Sequence, residues 1–198
     1  MRRIILFCLV MLVVRVVAAQ SRESANSVRS SLQAGAEFSA FNPDWDCSSN
    51  GPFTCGNGAP LLKGIGVFGD YDVRGKYGAE AEARWLRWDS IGGQVESTYL
   101  IGPRYRLYRW RSLSLWAKFL LGIGSVTTAG YPAPDTLKGT MFAYAPGGSV
   151  EYPLNARISV RADYEFQEWP TFGVAPPHNH GLTPNGFSFG VAYMVLKH

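Results

Sequence analysis

The sequence predicts an all-β fold: an eight-stranded antiparallel up-and-down β-barrel that spans a membrane. Three observations predict it. Large apolar residues recur at every second position in eight separate segments between Leu32 and Val195, the period of a strand with two unlike faces. The connections between those segments alternate long and short. The face opposite the bulky residues combines glycine with charge.

The chain has 198 residues, with 14% aromatic residues, 22 Gly and 17% charged residues, against about 25% charged in a typical soluble domain. Its first segment lies outside the predicted fold. Arg2 and Arg3 precede an apolar run from Ile4 to Val17, and Val17-Ala18-Ala19 ends it with small residues before Gln20. This is the layout of a cleaved secretory signal peptide over 1–19. A membrane anchor is the competing reading, but the run is broken by Arg15 and falls short of the ~20 residues a spanning helix needs. Residues 20–30 are polar and aperiodic and read as a flexible periplasmic lead-in, leaving 31–198 as the barrel domain.

Cleavage would remove Arg2, Arg3 and Arg15, so 19 Lys+Arg less 3 leaves 16 against 15 acids. A net charge of +1 gives no argument for nucleic acid. Two cysteines remain, Cys47 and Cys55, in a stretch rich in Gly, Pro and Asn. In an exported chain such a pair is expected to form a disulfide.

The predicted strands follow in order. The first, Leu32 to Phe41, sets Leu32, Ala34, Ala36, Phe38 and Ala40 against Gln33, Gly35, Glu37 and Ser39. The second, Leu62 to Val73, sets Ile65, Val67, Tyr71 and Val73 against Gly64, Gly66, Asp70 and Asp72. The third, Tyr77 to Trp88, opposes Ala79, Ala81, Ala83 and Trp85 to Glu80, Glu82 and Arg84. The fourth, Ser97 to Tyr108, opposes Tyr99, Ile101, Tyr105 and Leu107 to Gly102, Arg104 and Arg106. The fifth, Leu113 to Val126, has Leu115, Phe119, Leu121 and Ile123 facing away from Lys118, Gly122 and Gly124. The sixth, Thr140 to Tyr152, divides Phe142, Tyr144, Val150 and Tyr152 from Ala145, Gly147 and Glu151. The seventh, Arg157 to Gln167, divides Ile158, Val160, Ala162, Tyr164 and Phe166 from Arg161, Asp163 and Glu165. The last, Asn185 to Val195, carries Phe187, Phe189, Val191, Tyr193 and Val195 on one face. Long connections cover 42–61, 89–96, 127–139 and 168–184, and short ones 74–76, 109–112 and 153–156. Long outer loops, short periplasmic turns and an even strand number suit a barrel of the outer membrane with both ends in the periplasm.

Size decides which face is inside. The interior of an eight-stranded barrel is only just wide enough for side chains to fill it, so the Phe and Tyr face is too bulky to fit there. Glycine weakens a strand and gains nothing facing water, but in a crowded lumen it leaves room for long neighbours. The expected luminal set is therefore Glu37, Asp70, Asp72, Glu80, Glu82, Glu151, Asp163 and Glu165 with Arg84, Arg104, Arg106, Lys118 and Arg161. Buried charges must be paired, so these residues are expected to form a cross-strand network that plugs the barrel, with Arg84, Arg104 and Arg106 at its cationic centre. Tyr77, Trp85 and Tyr152 suit an interfacial girdle. Trp116 lies near a strand end but on the polar face by parity, so girdle and lumen both stay open for it. A soluble lipocalin-like barrel, with the faces exchanged, is the alternative.

The stretches "GVFGDYDV", "GAEAEARWLRW", "YLIGPRYRLYRWRSLSLWAKFLLGIG" and "SVRADYEFQEW" resemble the small Gram-negative outer-membrane β-barrel proteins of the OmpA/OmpX/opacity type. The resemblance spans Leu32 to Val195. It implies residence in the outer membrane, contact with its lipid, and delivery by the β-barrel assembly machinery. That machinery's insertion signal, polar-x-Gly-x-x-apolar-x-apolar, would fall on Ser188, Gly190, Tyr193 and Val195. Family members usually end on an aromatic residue, whereas this chain continues through Leu196-Lys197-His198.

Other motifs have ordinary readings. "GIGVFG", Gly64 to Gly69, matches G-x-G-x-x-G but sits inside an alternating strand rather than between a strand and a helix. Asp44 and Asp46 read as a solvated loop. His178 and His180 have no third ligand nearby, and no G-x-S-x-G elbow accompanies them. No cofactor or metal is expected, and the predicted role is a structural or surface-contact one for a monomer. A lipid-modifying enzyme, built on His178 or His180 with a Ser or Thr nucleophile, is the alternative.

Overall fold

The computed structural model describes residues 30–43, 61–73, 75–88, 94–129, 136–170 and 181–197. Eight strands follow one another: β1 (Ser31–Asn42), β2 (Leu62–Val73), β3 (Tyr77–Trp88), β4 (Gln94–Trp110), β5 (Leu113–Ala129), β6 (Thr136–Pro153), β7 (Ile158–Phe166) and β8 (Asn185–Lys197). Each pairs antiparallel with the next, and β8 closes on β1 through pairs such as Phe38↔Phe189 and Glu37↔Gly190. Closure leaves no free edge along the paired region.

The tight turns sit at the end that also holds Ser31 and Lys197, so this is the periplasmic end. Gly75, with φ 64°, supplies the left-handed position in the β2–β3 turn. In the β6–β7 turn the Asn155 side-chain oxygen accepts from the backbone N–H of Arg157 and of Ile158, both at 2.8 Å.

Three strands run further outward than the sequence reading placed them. β4 begins at Gln94, β5 reaches Ala129 and β6 starts at Thr136. Residues first assigned to loops continue the ladder through Val95↔Thr127 and Thr128↔Leu137. The Gln94–Val95–Glu96–Ser97–Thr98 run carries only modest apolar contrast, and the closed ladder rather than local pattern keeps it extended.

The two faces divide as size required. Phe38, Ile65, Tyr99, Ile101, Phe119, Phe142, Tyr164, Phe187 and Phe189 are exposed on the outer wall, Phe189 at 64%, while Arg104, Glu82 and Asp163 are buried at 2–4%. This excludes the soluble barrel, whose apolar face would turn inward. Outer-wall aromatics pack on one another: Tyr164 and Phe187 at 4.9 Å, Tyr77 and Tyr105 at 5.1 Å. Trp85 Nε1 donates to the Tyr99 hydroxyl at 3.1 Å.

Candidate functional site: the luminal ion-pair column

Inward-facing side chains from every strand meet in the lumen. Arg84 on β3 reaches Glu37 Oε1 at 3.1 Å, Glu82 Oε1 at 2.6 Å and Glu165 Oε1 at 3.1 Å. Lys118 on β5 sits among Glu80 at 2.8 Å, Asp163 at 3.1 Å, and Glu82 and Glu165 at 3.2 Å. Arg161 on β7 pairs with Asp163 on its own strand, with Glu80, and with Asp70 at 3.1 Å. Arg104 on β4 pairs with Glu151 and lies 2.5 Å from Asp70 and 3.5 Å from both Asp72 and Glu80. All four cations are at most 5% exposed. Each touches at least three carboxylates, the arrangement that makes buried charge tolerable.

The geometry redraws the centre of the network. Arg84 and Arg104 belong to the network but bound it, and the cations between them are Lys118 and Arg161 rather than Arg106. Arg106 stands half-buried at the periplasmic mouth, 5.8 Å from the Trp116 ring. The cause is depth: Arg106 keeps the inward parity of Arg104 but lies one inward position nearer the periplasm, where the lumen widens into the mouth.

Aromatic rings separate the layers of charge. Arg84 lies 4.3 Å over Phe41, Arg161 4.3 Å over Phe68, and Arg104 3.9 Å over Trp116. These are cation–π distances. Trp116 therefore belongs to the lumen and not to the girdle. Phe41, Phe68 and Trp169 are luminal residues the sequence reading left unnamed. Phe68 shares parity with Gly66 and Asp70, so alternation alone places it.

At the outer end a relay runs from Trp169 Nε1 to Gln167 Oε1 at 3.0 Å, then from Gln167 Nε2 to Glu165 Oε1 at 2.7 Å. Trp169 is fully buried, bridges to Leu182, and packs with Leu100, Leu120, Val126, Ala143 and Ala145. Glu96 lies buried near this end, on a segment first read as loop.

In β8, Ser188 faces inward and its hydroxyl lies 2.7 Å from that of Ser39. Gly190 pairs with Glu37 and with Arg161, Tyr193 faces outward, and Val195 falls at a register shift. Cys47, Cys55, His178 and His180 lie outside the described residues, as do the leader and the lead-in up to residue 29.

A closed antiparallel barrel with an apolar outer wall and an ion-paired interior defines a β-barrel protein that crosses a lipid bilayer with its strands. Residues 6–194 match the outer membrane protein beta-barrel domain, and the chain belongs to that family. Its place is the bacterial outer membrane. The fold is similar to Neisserial surface protein A, with a TM-score of 0.60, 10% identity, and coverage of 86% of this chain and 99% of that one. It is also similar to Ail, the attachment invasion locus protein of Yersinia pestis, with a TM-score of 0.51, 16% identity, and coverage of 85% and 99%. Ail in complex with the heparin analogue sucrose octasulfate gives a TM-score of 0.52 at 15% identity, with coverage of 85% and 99%. No curated protein matches in sequence.

Proposed function

We propose that this protein is a plugged, non-conducting outer-membrane barrel that serves as a rigid mount for its outer loops, 42–61 and 168–184, which contact a surface or ligand outside the cell. The observation that carries this reading is the luminal column. Arg84, Lys118, Arg161 and Arg104 form consecutive ion-pair layers from one end of the barrel towards the other, with Phe41, Phe68 and Trp116 stacked among them. An eight-stranded lumen has no width to spare beyond its side chains, so such a column leaves no continuous aqueous path. A rigid scaffold with variable loops is also the usual division of labour in binding proteins. The Yersinia protein of similar fold is named for attachment and has been solved with a sulfated sugar, a fold-level analogy that favours loop contact over catalysis.

Two measurements on the folded chain test this. In planar bilayers the wild type is expected to give no steady conductance, and an ohmic pore would overturn the plugged lumen. Vesicles carrying the chain are expected to bind sulfated polysaccharide or host-cell surfaces, and trimming 44–60 or 171–180, which leaves Asn42, Trp169 and Leu182 in place, should abolish binding. Binding unaffected by either trim would overturn the role of the loops, and conversion of lipid A by the purified protein would replace it with an enzymatic one.

A further inference from the structure

The two register shifts noted in the barrel both fall at its periplasmic end, and both have the same effect. On β4, Arg106 pairs with Trp116 but Tyr108 pairs with Leu115, so Leu107 is an extra residue. On β8, Met194 pairs with Gln33 but Leu196 pairs with Leu32, so Val195 is extra. A bulge reverses the inside–outside alternation beyond it.

Strict alternation from Arg104 would turn Tyr108 inward and Arg109 out to lipid. Strict alternation from Met194 would turn Leu196 inward and Lys197 outward. The bulges exchange both pairs. Tyr108 and Leu196 lie on the outer wall, 60% and 51% exposed. Arg109 pairs with Ser114, which shares the inward parity of Trp116, and Lys197 pairs with Ser31, which shares that of Gln33. Arg109 and Lys197 line the mouth together with Arg106.

That mouth is a cavity of about 360 Å³, with Trp116 at its floor and Arg157 on its rim. Two carboxylates also line it, Asp72 and Glu151, and both are engaged by Arg104 from below. Arg157 donates from Nη1 to the Tyr193 hydroxyl at 3.2 Å. The hydroxyls of Ser31 and Ser114 add neutral donors, while that of Ser159 donates to Gln33 Oε1 at 3.3 Å. The volume is at the lower end of the ~300–1,000 Å³ typical of small-ligand sites.

We propose that this periplasmic mouth is a binding site for a phosphate-bearing ligand, built by the two bulges. Arg forks match the geometry of phosphate oxygens, and Lys adds a point charge. Arg109, Arg157 and Lys197, in a mouth whose two carboxylates are engaged by Arg104, favour a multiply charged anion. The phosphate comes either from the headgroup of a phospholipid in the adjoining leaflet or from a soluble phosphate ester or pyrophosphate of the periplasm.

The test uses the full mature chain folded in uncharged maltoside micelles, with folding confirmed by a heat-dependent gel shift. Inorganic pyrophosphate is titrated in one calorimetric arm and phosphatidylglycerol in mixed micelles in another. Saturable binding in the first arm assigns the soluble source, and binding in the second arm alone assigns the lipid. In either case the double variant Arg109→Gln/Lys197→Gln is expected to weaken binding tenfold or more, and Arg109→Lys/Lys197→Arg to restore most of it. Both variants sit at the rim, so the barrel should fold. No saturable binding in either arm, or equal binding by wild type and the Gln variant, would overturn the proposal.

Discussion

The Arg104 guanidinium lies 3.9 Å above the ring of Trp116, and both side chains are almost fully buried. The pair closes the charged column at its periplasmic end. Arg104 carries the carboxylates of Asp70 and Glu151 on one side, while Trp116 gives its other side a desolvated π face. Trp116 Nε1 meets no acceptor among the described residues. The ring therefore contributes area and quadrupole, not a hydrogen bond.

Truncating that ring should be costly, and replacing it by a smaller ring less so. Trp116→Ala is expected to destabilise the barrel by about 3–5 kcal/mol, the usual range for a buried Trp. Trp116→Phe should cost clearly less than Trp116→Ala, because the face over Arg104 survives, the cavity left is smaller and an unsatisfied donor is removed. Urea titration of the protein folded in lipid vesicles, read by gel mobility, measures both. Equal losses for the two variants would show that the indole N–H, not the ring face, matters.

Lys118 offers a second test, because four carboxylates lie within 3.2 Å of its ammonium. Lys118→Met leaves them buried and facing one another without a cation between them and should cost about 3–5 kcal/mol. Adding Glu82→Gln to that variant should recover roughly 1–3 kcal/mol, since the two sites share one network and their effects do not add. The same titration in dilute and in molar salt should give nearly the same loss, because pairs this buried are poorly screened. A strong salt dependence would mean that the column is open to water.

What the sequence made legible follows from period and size. Glu37, Arg84, Lys118 and Arg161 could be placed inside because each alternates with residues too bulky for a narrow lumen. Arg106 shares that inward parity but sits nearer the periplasm than Arg104, and alternation gives the face of a residue, not its depth along the barrel. The outward extension carrying Glu96 was obscured for a related reason: its Ser and Thr neighbours suit a loop as well as a strand. Phe68 required only parity, since it alternates with the outward Val67 and Gly69 beside Gly66 and Asp70, whereas Trp169 falls in 168–184, a stretch whose composition suits a loop and whose burial comes from its bridge to Leu182.

The outer wall predicts a depth profile. Ile101 pairs with Ala81 and Leu121, both well inside the strands, and is 62% exposed. Ile101→Arg should destabilise by about 2–4 kcal/mol, the cost of a cation near the bilayer midplane. Tyr108 is as exposed but sits at the periplasmic rim, and Tyr108→Arg should cost only about 0–1 kcal/mol. Vesicle-based urea unfolding of the two variants checks the ratio. Equal costs would mean that the bilayer does not sit where the aromatic rim places it.

Gly124 and Trp169 meet at the outer end of the lumen. Gly124 is buried on β5, and a Cβ built there would overlap the six-membered ring of Trp169. Neither partner can retreat easily. Trp169 is held by its bond to Gln167 and by its backbone bridge to Leu182, and Gly124 is fixed by its pairs with Thr98 and Met141. Gly124→Ala is therefore expected to destabilise by about 1–3 kcal/mol through overpacking, although alanine suits the backbone at this position. Trp169→Leu alone should cost about 2–4 kcal/mol, since it leaves a cavity among Leu100, Leu120 and Val126. The double variant should lose less than the two single costs added together, because a smaller side chain at 169 gives the new methyl room. A double-mutant cycle by urea unfolding in vesicles checks this. Strict additivity would show that the indole does not rest on Gly124, and with that the tight cap at the outer end of the lumen would be lost.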